Sequence, residues 1–344
     1  MKNWRFIFFT LLLVCASGVY AQKDTVAFKP SGKIIARAFI DYSTGLSSNT
    51  NEDTGFDITR AFLGYNYKFT PTLEAQVIID GASGKDEKGN YEVYLRNAYV
   101  RWRDYGFDVS VGEIGMLAFN VQEKYWYHRY VLKSFQDQNK MHHSVDVGVT
   151  AAYQFAPSLS ADVTIANGEG YKKVKKNEST RYALGLTYKP VKNMVLRAYG
   201  DIYTKKDTLM RDDLPAGVLD ATYKNQYSMA LFAGYMDERV SGGVEYSRVF
   251  NKGFIDKKSY YGYSAYASVK IAPKWRVYAR YDNMDSKSPS NFTDPWNSND
   301  GQLMISGIEF QPVKQLKISP NIRNINPDRN KSEQYLFINL EFNL

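Results

Sequence analysis

The sequence predicts an all-β fold, a transmembrane antiparallel β-barrel of 16 strands with short periplasmic turns and long outer loops, and three observations carry that expectation. Seven short turn-forming links recur at intervals of about 30 to 50 residues. Eight longer polar stretches lie between them. Links and stretches are joined by segments in which apolar and polar residues alternate, the period of a strand with two different faces. With both chain ends on the periplasmic side, seven turns and eight loops join 16 strands.

The first element is a targeting segment. Lys2 and Arg5 precede the apolar run FIFFTLLLVCA, and Val19-Tyr20-Ala21 supplies a small-residue cleavage site. Residues 1–21 therefore read as a secretory signal, leaving 22–344 as a single barrel domain. The run is too short to span a bilayer as a helix. A lipoprotein signal is the alternative, but it needs a small residue before Cys15, where Val14 stands. Cleavage after Ala21 removes Cys15, the one cysteine, and with it any disulfide or thiolate chemistry. It also lowers the net charge from +8 to +6, a modest excess whose placement matters more than its size.

The turns follow in order: Phe69-Thr70-Pro71-Thr72, Asp104-Tyr105-Gly106, Ala156-Pro157-Ser158, Pro190-Val191-Lys192-Asn193, Met236-Asp237-Glu238, Ala272-Pro273-Lys274 and Pro312-Val313-Lys314. Five contain proline, which cannot donate to a sheet ladder and so falls at turns and strand ends. Aromatic residues gather beside them, among them Tyr67, Phe69, Trp102, Tyr105, Tyr153, Phe155, Tyr188, Tyr235, Trp275 and Phe310. That clustering predicts an interface belt and accounts for much of the content of 28 tyrosines, 19 phenylalanines and 5 tryptophans. Strand propensity alone explains the presence of aromatics but not their gathering at one end.

The strands show two faces. In the last one Leu336, Ile338, Leu340, Phe342 and Leu344 alternate with Tyr335, Asn339, Glu341 and Asn343. Similar alternation places Leu159, Ala161, Val163 and Ile165 opposite Ser160, Asp162 and Thr164, and Leu184, Leu186 and Tyr188 opposite Arg181, Gly185 and Thr187. The apolar set must meet lipid and the polar set the lumen. A soluble sandwich also alternates, yet it would not be organised around seven turns matched by eight loops. Parity turns Arg60, Arg96, Arg181, Arg197, Arg276 and Arg280 inward, together with Glu74, Asp80, Glu92, Asp162, Asp201 and Asp282. An arginine on the lipid face near mid-bilayer would cost about 2 to 4 kcal/mol, so any wide barrel places its charges inside and pairs most of them. From Gly301 to Phe310 the apolar set changes face.

Between Glu113 and His143 the chain leaves the alternating pattern for its longest excursion, rich in Phe119, Tyr125, Trp126, Tyr127, Tyr130 and Phe135 and in Lys124, His128, Arg129, Lys133 and Lys140. So apolar a loop folds against something. Sixteen strands with such a third loop resemble the general bacterial porins, in which that loop folds into the lumen. The strings LRNAYVRW (Leu95 to Trp102) and GFDVSVGEIG (Gly106 to Gly115), followed by the aromatic and basic loop, are most similar to the phosphate-selective porin O and P group and its Bacteroidetes relatives.

The resemblance implies an outer-membrane channel for passive diffusion of small hydrophilic solutes, anions such as phosphate among them, in contact with outer-membrane lipid and in some relatives trimeric. Lys124, Arg129 and Lys133 would then face wall residues among Arg60, Arg96, Arg181, Arg197, Arg276 and Arg280 in an anion-preferring constriction. Distance sets its strength: a fixed charge about 4 Å from a permeating anion contributes about 4 kcal/mol at an effective dielectric of 20, and about 0.4 kcal/mol at 10 Å in water.

Other chemistries find less support. His142, His143, Ser144 and Asp146 hold the parts of a nucleophilic triad without its geometry, and with His128 they lack the spacing of a zinc site. The stretches Asp80 to Asn90 and Asp282 to Asp300 are acidic but do not match a calcium loop. No cofactor motif and no basic face suited to nucleic acid is present in the sequence. Two alternatives to a channel remain, a surface receptor or adhesin with a blocked lumen and a barrel hydrolase.

Overall fold

The computed structural model describes residues 28–50, 54–172, 179–205, 223–288 and 296–344; the segment read as a signal, with Cys15, lies outside them. Sixteen strands form one closed barrel in which each strand pairs antiparallel with its sequence neighbours and β1 (Ser31–Gly45) closes on β16 (Glu333–Asn343). In order, the others are β2 (Gly55–Lys68), β3 (Leu73–Lys85), β4 (Tyr91–Asp104), β5 (Phe107–Gly115), β6 (Val145–Ala156), β7 (Leu159–Ala166) and β8 (Arg181–Tyr188). They continue as β9 (Met194–Tyr203), β10 (Gln226–Met236), β11 (Val240–Phe250), β12 (Ser259–Ala272), β13 (Trp275–Lys287), β14 (Gly301–Val313) and β15 (Leu316–Pro327). Closure removes the two edges that an open sheet would expose.

All seven links fall between strands on one rim. Tyr105 and Gly106, with φ of 47° and 81°, make the two-residue hairpin between β4 and β5, a geometry that favours glycine. The rim aromatics pair there: Tyr67 with Phe69 and Tyr153 with Phe155 at 4.9 Å, Trp275 with Phe310 at 4.4 Å.

Alternation governs the wall. Along β8, Arg181, Ala183, Gly185 and Thr187 are buried while Tyr182, Leu184, Leu186 and Tyr188 are exposed. Leu63, Val77, Leu95, Val111, Val163, Leu231 and Val244 extend the exposed apolar band around the outside. A surface of that kind is stable against hydrocarbon and not against water. In β14 the odd residues Leu303, Ile305 and Glu309 face inward and Ser306 outward. The apolar set changes face there because Ile305 and Leu303 meet an apolar partner inside the barrel.

That partner is the third loop, residues 116–144, which folds into the lumen and carries two short helices, α1 (Asn120–Trp126) and α2 (Phe135–Gln138). Trp126, Tyr130 and Val131 pack with Phe39 of β1, Val195 of β9, Phe232 of β10, Tyr266 of β12, Tyr278 of β13 and Ile305 of β14. Ala118 and Phe119 meet Ala183, Tyr199 and Ala230, while Phe135 and Met141 meet Val249, Tyr260 and Met284. Strands 1 and 9 stand on opposite sides of a 16-stranded ring, so the loop crosses the lumen and covers the β8–β15 wall.

Asp80 and Asp282 face inward as parity places them, so the acidic stretches that begin at these residues start within strands. Asp80 lies within β3 and pairs with Arg60, and Asp282 lies within β13 and pairs with Arg280.

Candidate channel and constriction

The wall under the loop is built to hold it. Each peptide carbonyl brought out of water needs a donor, and inward side chains supply them. Arg197 donates to the carbonyl of Leu117 at 2.8 Å, Arg280 to Lys133 at 2.7 Å and Arg323 to Val131 at 2.7 Å. Hydroxyls of Ser241, Tyr266 and Tyr260 donate to Tyr125, Gln122 and Lys140 at 2.6, 2.9 and 3.0 Å. From the sixth loop, Lys252 reaches the same Lys140 carbonyl at 2.9 Å, and burial with the nearby Arg181 pulls its pKa down to about 8.

Three of the wall arginines have their charges balanced locally. Arg181 bonds Asp201 at 2.5 Å, Arg280 bonds Asp282 at 2.6 Å, and Arg197 bonds Asp162 at 2.7 Å and the Thr187 hydroxyl at 2.8 Å. The last pair reaches across β8 over Gly185, where a Cβ would come within 2.5 Å of both the guanidinium and the carboxylate. Arg276 donates to Ser268 Oγ at 3.1 Å and lies over the Tyr127 ring. Arg181, Arg197 and Arg280 are thus buried and neutralised on the covered wall; the parity that turned them inward does not reveal that a loop lies on top.

A second group converges on the β1–β6 side. Arg60 pairs with Asp80 and donates to the Tyr171 hydroxyl at 3.0 Å. Arg129 of the loop stands 2.8 Å from both Glu123 and Asp137, linking α1 to α2. Lys133 keeps solvent access at its surface although its surroundings are enclosed; desolvation and the cations Arg60, Arg129 and Lys172 lower its pKa, with Asp137 opposing. Arg96 donates to Asn97 Oδ1 at 2.7 Å, lies over the Phe62 ring and feels the charges of Arg129 and Arg60. Among the described residues no carboxylate lies within ion-pairing distance of Arg96, Lys133 or Lys124, and Lys124 is exposed on α1. The structure therefore brings together Arg60, Arg96, Arg129 and Lys133, and leaves Lys124, Arg181, Arg197, Arg276 and Arg280 elsewhere.

Two cavities flank this group. A recess of about 150 Å³ lies between Arg60, Arg129, Lys133, Asp41 and Arg323. A chamber of about 310 Å³ lies on the periplasmic side, bounded by β3–β6 and roofed by the start of the loop. Arg323, Lys172, Arg101 and Arg103 were not singled out in the sequence. Strand parity next to Asn321 and Asn339 would have found Arg323; no periodicity marks Lys172, which lies in the fourth loop.

The histidines take other places. His142 Nδ1 lies 3.3 Å from Asp201, and Asp146 accepts from the N–H groups of Val147 and Gly168, so His142, His143, Ser144 and Asp146 do not assemble as a triad. His128 does stand between Ser268 Oγ at 3.0 Å and Glu309 at 3.2 Å, the spacing of a nucleophile, base and acid. All three are almost fully buried, Arg276 donates to the same serine oxygen, and burial keeps the His128 pKa below its ordinary value. With Tyr130 also donating to Glu309 at 2.8 Å, the cluster serves as a polar seam between loop and wall.

No protein-family model and no curated protein matches the sequence. Solved structures share the fold. OmpF of Salmonella typhi in complex with daunomycin superposes with a TM-score of 0.67 at 12% identity, covering 91% of this chain and 97% of that one. The outer membrane channel DcaP of Acinetobacter baumannii gives 0.62 at 11%, covering 92% and 97%. The in-vitro folded trimer form of the Vibrio cholerae outer membrane protein OmpT gives 0.63 at 13%, covering 92% and 99%.

Proposed function

We propose that the chain is an outer-membrane porin that lets small hydrophilic solutes diffuse passively along the β1–β6 side of its lumen, with a mild preference for anions. The observation that carries this is the division of the lumen: the β8–β15 wall is spent on holding the third loop, while the β1–β6 side keeps two cavities, one lined by Arg96 of the wall and one by Lys133 of the loop, neither of which has a carboxylate within ion-pairing distance among the described residues. Arg60 and Arg129 shape that side, but Asp80, Glu123 and Asp137 cancel their charges at close range, so the preference is weak. This leaves little support for the strong phosphate selectivity of the porin O and P group, which calls for several converging cations.

Single-channel conductance of refolded protein in a planar bilayer, with the reversal potential measured across a salt gradient, tests the reading. Stable open steps with a small anion-side reversal support it. Absence of conductance from a folded barrel would favour a surface receptor, a reading that the extent of loop packing across the lumen also supports. A homotrimer is proposed on the same footing, from the trimer form of OmpT and from an outer groove floored by Ala233, Gly242, Ala265, Ala267 and Ala279, where another barrel can approach closely.

A further inference from the structure

We infer that the chamber beneath the start of the third loop is a binding subsite for a small, hydroxyl-rich organic monoanion, with Arg96 taking its carboxylate. The inference rests on the channel reading and adds the class of solute that dwells there. The chamber's volume of about 310 Å³ lies at the small end of ligand-sized pockets, which run from about 300 to 1,000 Å³.

Charge is the first argument. The other two charged groups of the lining cancel: Arg101 pairs with Asp108 through Nε at 2.6 Å and a second, shorter contact, and beyond the lining Glu74, 3.7 Å from Arg101, pairs with Arg103 at 2.6 Å. Arg96 has no such partner among the described residues, so the chamber carries one uncompensated positive charge. Its position in the wall follows from a bulge: Ile78 and Ile79 of β3 face Asn97 and Leu95 of β4, and Arg96 is the extra residue. A guanidinium matches a carboxylate with two parallel hydrogen bonds. One such group suits a monoanion, whereas a dianion would leave charge unpaired in an enclosed site.

The rest of the lining supplies the second argument. Gln76, Asn97, Tyr99, Ser110, Asn120 and Thr150 are neutral hydrogen-bonding groups that converge from four strands and α1. Tyr99 donates its hydroxyl to Gln76 Oε1 at 2.9 Å, which fixes that amide so that its NH2 is the end left to donate. A short-chain acid has too few polar atoms to engage so many neutral partners, and inorganic phosphate, although it accepts from several donors at once, is too small to reach partners spread over a chamber of about 310 Å³. A sugar acid engages them, because each hydroxyl both donates and accepts.

Equilibrium binding and current block of the refolded full chain test this, with potassium glucuronate as probe. Potassium phosphate, potassium acetate and glucose at matched ionic strength serve as comparisons. Glucuronate is expected to bind saturably, to interrupt the KCl current, and to outcompete acetate and glucose by about tenfold or more, since each lacks one half of the recognition. Arg96→Gln is expected to weaken glucuronate by about tenfold or more while glucose is unaffected; Gln76→Leu should weaken glucuronate but not acetate; Lys192→Gln, in a periplasmic turn, should change neither. Equal binding of glucuronate, phosphate and acetate, or glucuronate binding indifferent to Arg96→Gln, would overturn the subsite. Absence of KCl current alongside intact glucuronate binding would instead count against the channel reading and leave the subsite standing.

Discussion

Replacing Trp126 by alanine should free the third loop while leaving the barrel intact. The indole is almost fully buried, packs edge-on against Tyr266 at 5.4 Å and Tyr278 at 6.0 Å, lies under the Arg280 guanidinium, and donates Nε1 to the Leu132 carbonyl at 2.7 Å. Truncating a buried tryptophan costs about 3 to 5 kcal/mol, and every 1.4 kcal/mol is about tenfold in an equilibrium constant. The docked state of the loop should therefore lose about two to three and a half powers of ten in population relative to undocked states. None of the ladder pairings that close the barrel involves Trp126, so W126A should still fold and insert. In planar bilayers the variant should show larger open steps and more current noise than the parent. Unchanged conductance and noise in folded W126A would refute the view that this packing sets the width of the passage.

Arg129→Gln and Lys133→Gln should both move the reversal potential toward cations, but only Arg129→Gln should add flicker, because Arg129 also ties Glu123 of α1 to Asp137 of α2; equal flicker would sink the cross-link. Burial first, and Arg181 and Lys252 after it, hold the His142 pKa down at about 4, against which Asp201 pulls upward. Its folded value lies below its unfolded value of about 6.5, so docking is fully supported above pH 6.5 and weakens as pH falls toward 4, by about 2 kcal/mol at pH 5. Current noise should accordingly rise on acidification from pH 7 to pH 5 and the rise should shrink in His142→Gln; parallel pH profiles would argue against this residue. Gly185→Ala should separate Arg197 from Asp162 and release the Leu117 carbonyl, raising noise; a quiet channel would show that the pair tolerates a Cβ. Ala265→Trp, on the outer groove, should dissociate a trimer seen by cross-linking without closing the pore, and an unchanged cross-linking pattern would place the interface elsewhere.

Strand parity made most of the barrel readable, because one residue of slip would turn a lipid-facing leucine into the lumen and a charge into the bilayer. Arg181, Arg197 and Arg280 could be turned inward on that ground alone. Their partners could not be read: the Arg197–Asp162 pair joins β9 to β7 across a glycine, a relation set by register and not by sequence spacing. Arg96 is a harder case, since the bulge sets Arg96 and Asn97 inward in succession and so breaks the period of two on which parity rests. The aromatic loop was legible as a segment that folds against something. What it folds against was written into the wall as Phe232, Tyr266, Tyr278 and Ile305, inward apolar residues that look like lapses of alternation until the loop covers them.

Those lapses also explain why the charges are distributed as they are. A loop laid across a lumen must satisfy its carbonyls without water, and arginine can donate to a backbone carbonyl with one nitrogen while others hold a wall carboxylate. Arg197 and Arg280 do both, so each clamp is electrically neutral as well as bonded at either end. A barrel that secures its loop this way can keep many inward arginines and still present little net field to a solute. In the channel proposed here, the inward cations left outside such clamps include Arg96 of the wall and Lys133 of the loop, which line the cavities on the β1–β6 side, and Arg276, which lies over the Tyr127 ring. Counting basic residues in the sequence therefore overestimates the fixed charge that a solute in the lumen meets, because a cation held against a carboxylate is cancelled at close range.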